Sequence, residues 1–250
     1  MKRILRHLLY WYLAGLARLL IWRFRPAVIA VAGTINKTFA KEAVARILAQ
    51  NGLKTEMAYN GFNTEIGLPL AILGLPSGYE SYARWWVILG MAIHAFFQKK
   101  LSDVLILELG VSRPGDLKKL LRIVKPRAAI ITDLTQRYRE NFSDISAMAG
   151  EYGSLLAHLP PDGLAVLNYD TILVRELGAR SAAPVFYVSL EPQARSENIW
   201  SVSRREKTVN GQTIVFQIPD GQITVLCERF GRHHAAALLI AEIIQRNFKI

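Results

Sequence analysis

Val28–Leu48 reads VIAVAGTINKTFAKEAVARIL. An apolar, β-branched run leads into a loop with Gly33 and Thr34, then Lys37-Thr38, then an amphipathic helix. That order suits a phosphate cradle. Backbone N–H groups converge on phosphate oxygens, a helix N-terminus lies behind them, a lysine bridges phosphates and a hydroxyl serves Mg²⁺. Asn36 stands where a glycine usually precedes the lysine. Asparagine tolerates the left-handed conformation better than most residues, but its side chain takes up space that phosphate would use. On the loop alone nucleotide binding stays open, because Lys37 and Thr38 also read as ordinary first-turn helix residues.

From Pro26 onward, strand and helix patterns alternate around this unit. AVIAVAG, DVLILELG, AAIITD, LAVLN and PVFYVS are short apolar runs ended by turn residues, the pattern of buried parallel strands. Helical patterns separate them: Lys37 to Gln50 (stopped by Asn51-Gly52), Gly115 to Val124, Ser143 to His158 and Thr171 to Leu177. The rhythm predicts an α/β fold with a doubly wound, mostly parallel sheet whose ligands sit at the carboxyl ends of the strands. Asn210-Gly211 and Asp220-Gly221 lie between alternating runs and predict hairpins, hence a small antiparallel appendage near the C-terminus. A last helix is expected over His234 to Phe248. Ser81 to Lys100 is a very apolar helix, either a cover for the sheet or a second membrane or partner contact.

The chain has 250 residues, 51% of them hydrophobic, enough to bury a large core. Its single cysteine, Cys227, excludes an intrachain disulfide framework. The net charge of +11 is uneven: Lys2, Arg3, Arg6, Arg18, Arg23 and Arg25 precede Pro26 with no acidic residue among them. A basic and strongly apolar N-terminus points to an anionic membrane surface as partner and not to nucleic acid. Residues 1–25 read as an amphipathic helix. Arg3, His7, Tyr10, Ala14 and Arg18 share one face, with a wide leucine-rich face on the rest. It lies in a membrane plane, packs on the protein's own core, or spans a membrane. A cleaved signal peptide does not fit, because Arg18, Trp22, Arg23 and Arg25 occupy the cleavage region.

Five segments carry a family resemblance. AGTINKTFAKE is similar to the TGTNGKTTTKE loop of the Mur ligases, ATP-dependent enzymes that add amino acids or dipeptides to peptidoglycan precursors. NTEIGLPLAILGL and LILELGVSRPGDLKKLLRIVKPRAAIIT resemble the D-alanyl-D-alanine-adding branch, and LPPDGLAVLNYD and GRHHAAALLIAEI match its later motifs. The resemblance covers the family's central ATP-binding domain, expected over 26–250 after the 1–25 helix, without the C-terminal ligase domain. It implies ATP and Mg²⁺, weakly held, as cofactors. Gly33, Thr34, Asn36, Lys37, Thr38, Asn168, Arg232 and His233 would lie at the nucleotide, Thr38 and Glu108 at the metal, and Asn63 and Glu65 on the substrate side.

Other family positions are changed. Tyr138 stands for a metal-binding histidine, Tyr152 for a carbamylated lysine and Ser154 for an acidic residue. His234 and Ala237 stand for asparagines beside the adenine. A phenol is a poor Mg²⁺ ligand at neutral pH, since hard cations prefer carboxylate oxygens. The resemblance with these changes implies a catalytically eroded, membrane-associated ligase-like domain in cell-wall precursor metabolism. It would be cytoplasmic, on the inner face of the bacterial plasma membrane, with a precursor or a Mur-type partner chain. Two other readings stay open: an active ligase subunit completed by a separate chain, and a membrane-surface adaptor that binds no nucleotide.

Overall fold

The computed structural model describes residues 2–58, 61–78, 81–136 and 139–249. The chain opens with helix α1 (Lys2–Phe24), followed by strand β1 (Ala27–Ala32), α2 (Lys37–Gln50), β2 (Thr55–Met57), α3 (Gly67–Leu73) and α4 (Tyr82–Gln98). Then come β3 (Val104–Glu108), α5 (Asp116–Leu121), β4 (Ala128–Ile131), α6 (Ile145–Ala157), β5 (Leu164–Asn168) and α7 (Ile172–Glu176). The last elements are β6 (Val185–Ser189), β7 (Ile199–Thr208), β8 (Gly211–Ile218), β9 (Gly221–Cys227) and α8 (Arg232–Asn247).

All the strands join one sheet, in the order β2-β3-β1-β4-β5-β6-β7-β8-β9. Pairing is parallel from β2 through β7 and antiparallel across β7-β8-β9. The expected mostly parallel, doubly wound sheet and its antiparallel C-terminal strands are therefore present, the hairpins continuing the main sheet. β1 is third in that order, with β3 on one side and β4 on the other. The crossovers change direction there, so the carboxyl end of β1 is where a ligand crevice forms in such sheets.

Period-two alternation in β1 feeds two cores. Val28, Ala30 and Ala32 face a cluster with α1, α3, α4, α5 and α6. Ile29 and Val31 face a second cluster with α2, α8 and the inner side of the antiparallel strands, where Phe216 and Ile214 are fully buried. Two helices start where local side chains satisfy their first donors. Asp144 accepts from Ala147 N at 2.7 Å at the start of α6, and Thr64 Oγ1 accepts from Gly67 N at 3.1 Å at the start of α3.

α1 sits on the first core with a face the sequence pattern does not single out. Tyr10, Leu13, Ala14, Ala17 and Leu20 are buried there, whereas Leu5, Leu8 and Leu19 are exposed. Tyr10 and Ala14, grouped by spacing with the basic residues, thus belong to the buried side. Small Ala14 and Ala17 let the helix approach closely, which a continuous leucine face does not. The Tyr12 phenol, its pKa pushed up by burial, donates to the Leu89 carbonyl at 2.9 Å and ties α1 to α4. By length and composition, Ile4–Phe24 is long and apolar enough to cross a membrane.

Candidate functional site

The parallel strands all end on one edge, which gathers Gly33–Thr38 after β1, Glu108 at the end of β3, Thr132-Asp133 after β4 and Asn168 at the end of β5. The loop after β1 is clamped to its neighbour. Thr34 N donates to the Asp133 carbonyl at 2.8 Å, Thr135 N donates to Thr34 Oγ1 at 2.8 Å, and Thr132 Oγ1 donates to the Ile35 carbonyl at 2.6 Å. Gly33 adopts φ +125, and a Cβ there would collide with Thr132 Oγ1. Only glycine suits both conditions. Asn36 takes φ 63, ψ 5, the left-handed conformation a glycine adopts freely. The turn therefore keeps its shape with asparagine in it.

Beneath the loop lies a buried ionic group. Lys41 Nζ stands 2.9 Å from Glu108 Oε1 and donates to the Ala58 carbonyl at 2.8 Å, and the two residues are 2% and 4% exposed. Thr38 Oγ1 is 3.4 Å from the same carboxylate oxygen. The hydroxyl and the carboxylate offer one hard cation two oxygen donors, the chemistry Mg²⁺ takes alongside water and phosphate. Lys37 Nζ turns back to the Gly33 carbonyl at 2.9 Å. Lys41 was not singled out by sequence, although its spacing of four from Lys37 puts both on one helix face.

Two cavities flank this group. One, of about 250 Å³, is lined by Asn36, Thr132, Asp133, Asn168, Arg232 and His233, with Ala237 and Ile240 as its apolar wall. The other, of about 410 Å³, holds Gly33, Thr34, Lys37, Asn63 and Glu65, with Arg6, Arg113 and Lys119. Of the residues expected at the nucleotide, Asn36, Asn168, Arg232 and His233 line the first, Gly33, Thr34 and Lys37 line the second beside the substrate-side pair, and Thr38 lines neither. Asn168 Oδ1 accepts from Asp170 N at 2.9 Å, and Arg232 pairs with Glu191. Sequence gave no signal for Arg6, whose Nη2 reaches Glu65 Oε1 at 2.9 Å from a helix 59 residues away. Lys119 Nζ holds the other Glu65 oxygen at 3.2 Å.

The changed family positions fall differently. Tyr152 is 1% exposed inside the core and lines neither cavity. Ser154 Oγ donates to the Glu151 carbonyl within α6 at 2.6 Å. Tyr138 lies outside the described residues. Ala237 places no polar atom on the wall of the smaller cavity, whereas His234 lines a different cavity, in a ring cluster with Phe39 and His233. Burial lowers the His234 pKa from its usual value, and the neighbouring His233 and Arg229 lower it further. Among the described residues no group of three or more His, Cys, Asp or Glu side chains is arranged to hold a metal ion.

Known proteins share this fold and part of its sequence. Residues 88–244 match the family described as Mur ligase middle domain. UDP-N-acetylmuramoyl-tripeptide--D-alanyl-D-alanine ligase of Escherichia coli is 26% identical over 224 residues, covering 88% of this chain and 43% of that protein. The chain thus spans less than half the length of that relative. MurF ligase of Thermotoga maritima, solved in complex with ADP, superposes with a TM-score of 0.74 at 21% identity, over 94% of this chain and 48% of that one. Mycobacterium tuberculosis folylpolyglutamate synthase, solved with ADP and AMPPCP, superposes at 0.66 with 20% identity, over 98% of this chain and 61% of that one. At these identities the superpositions speak for the fold.

Proposed function

The chain belongs to the Mur ligase family through its middle domain, and from that premise we propose a Mg·ATP-binding domain of peptidoglycan-precursor metabolism that has lost ligation chemistry and works at a membrane surface. The contact of Thr38 with Glu108 beneath a left-handed Asn36 carries the nucleotide half of this reading. Asn36, Asn168, Arg232 and His233 would border the nucleoside end, and Lys37 would leave the Gly33 carbonyl for a phosphate oxygen. Mg²⁺ on Thr38 and Glu108 would neutralise phosphate charge. Tyr152 carries the loss of chemistry, since an apolar-packed ring stands where the family's carbamylated lysine would hold a second ion. Phosphoryl transfer to a carboxylate depends on such charge stabilisation.

Titration of Mg·ATP into the full chain is expected to give saturable binding that weakens by at least about tenfold in Lys37→Ala, the scale of one lost charge-assisted contact. No phosphate release should follow addition of UDP-N-acetylmuramoyl-tripeptide and D-alanyl-D-alanine. Absence of binding would remove the nucleotide half; substrate-dependent phosphate release would remove the erosion half.

The membrane half is supported by the outer side of α1, where Ile4, Leu8, Trp11 and Trp22 are exposed beside basic residues. The protein should sediment with anionic vesicles, and Trp11→Glu/Trp22→Glu should stay in the supernatant. Equal sedimentation of that variant would sink the membrane claim. Deleting residues 1–25 is not an equivalent test, because Leu13, Ala17 and Leu20 are fully buried in the main core.

A further inference from the structure

Arg6 lines two cavities at once. On one side is the polar cleft of Lys37 and Glu65. On the other is a groove of about 690 Å³ between α1 and α4, walled by Leu5, Leu8, Tyr12, Trp85, Trp86 and Ile93. That volume falls within the range of about 300–1,000 Å³ typical of small-molecule sites. Leu8 is 63% and Trp86 73% exposed, so the apolar wall is open to ligand. Gly90 lies along the groove, and a Cβ there would meet nothing within 4 Å.

The groove changes character sharply at its polar end. Beyond Arg6 the cleft sets four cations, Arg6, Lys37, Arg113 and Lys119, against two carboxylates, Glu65 and Asp116. Asp116 is already engaged, accepting from Ser112 N at 3.1 Å and Arg113 N at 2.9 Å. Glu65 takes Nη2 of Arg6, and a guanidinium carries five N–H donors in all. A wholly polar ligand leaves the groove without a purpose. A neutral hydrocarbon does the same to the cations at its end. An amphiphile uses both.

We infer that this seat takes a single-chain lipid with a phosphate or diphosphate head, its hydrocarbon lying between α1 and α4 and its head on Arg6 and Lys119. The head then stands in the same cleft as Lys37, so the substrate-side ligand is lipid-linked. That last step rests on the nucleotide reading above, whereas the seat itself does not.

The probe is dodecyl phosphate below its micelle concentration, titrated into the full chain and followed by calorimetry and by tryptophan fluorescence, with Trp85 and Trp86 in the groove wall. One molecule should bind per chain, and affinity should fall about tenfold in Arg6→Ala and further in Arg6→Ala/Lys119→Ala. Arg6 is exposed, so its loss spares the core. Dodecyl maltoside and inorganic phosphate each carry half of the chemistry and should bind at least about tenfold more weakly. Gly90→Phe fills the groove and should abolish binding while leaving the Mg·ATP titration unchanged. Trp11→Glu/Trp22→Glu, which lies outside the groove, should keep dodecyl phosphate binding. Equal affinity for dodecyl maltoside, for inorganic phosphate or in Arg6→Ala would overturn the proposal. So would dodecyl phosphate binding that survives Gly90→Phe but disappears in Trp11→Glu/Trp22→Glu, an outcome that assigns the surface to a bilayer. Dodecyl phosphate binding without Mg·ATP binding would sink the nucleotide reading and leave the seat standing.

Discussion

Replacing Lys41 by alanine is expected to lower the unfolding free energy by about 3–5 kcal/mol, the usual cost of stripping one partner from a buried ion pair. Lys41 and Glu108 are almost wholly buried and 2.9 Å apart. Without the ammonium, Glu108 keeps only the long contact to Thr38 at 3.4 Å. The reverse deletion should cost less, because in Glu108→Gln the lysine still donates to the Ala58 carbonyl at 2.8 Å. Chemical denaturation of both variants measures the asymmetry, and equal costs would contradict it. Lys41→Met/Glu108→Leu should regain most of the loss, since apolar replacement of a buried pair is often neutral or better. That variant would fold and still lack the carboxylate proposed for Mg²⁺, which separates the stability role of Glu108 from the one proposed for it at the nucleotide.

Putting the family's lysine back at position 152 is the second large effect. Tyr152→Lys should destabilise the protein by about 3–5 kcal/mol at pH 7, on the scale of several kcal/mol for one unpaired buried charge. Tyr152 is 1% exposed, on a helix whose Met148, Leu155 and Leu156 are equally buried. An ammonium there would be taken out of water into a packed core. Its folded-state pKa would fall well below the ordinary value of about 10.4. The unfolded chain then binds more protons than the folded one, so stability rises with pH and the penalty should shrink between pH 7 and pH 10. Denaturation midpoints at both values test this, with Tyr152→Phe as the packing control, expected to cost under about 1.5 kcal/mol. A neutral Tyr152→Lys would mean that the position opens onto a wet, ion-holding pocket, and would count against erosion.

Much of the sheet was legible in sequence because its central strands are continuous apolar runs, the mark of strands buried on both faces. β2 was not, being three residues with a mixed burial pattern. α3 escaped because Pro69 interrupts an apolar run, although proline is tolerated in a first helical turn. The seating of α1 was illegible for another reason. Its sequence is apolar on nearly every side, so period alone does not say which stripe meets the core. The cluster at the end of β1 was readable because Gly33, Lys37 and Thr38 are local in sequence, whereas Glu108 entered only through the family resemblance. Arg6, Lys119 and Glu65 come from α1, α5 and the turn before α3. No spacing rule links them.

Asn36 bears on how such a site changes over generations. Since the left-handed turn persists with asparagine in place, the phosphate chemistry proposed for this loop can be given up without giving up its shape. The scaffold then carries little penalty to select against the replacement, and little to prevent its reversal. A substitution at this turn leaves its neighbours in place, whereas one at a sealed core position such as Tyr152 obliges them to repack.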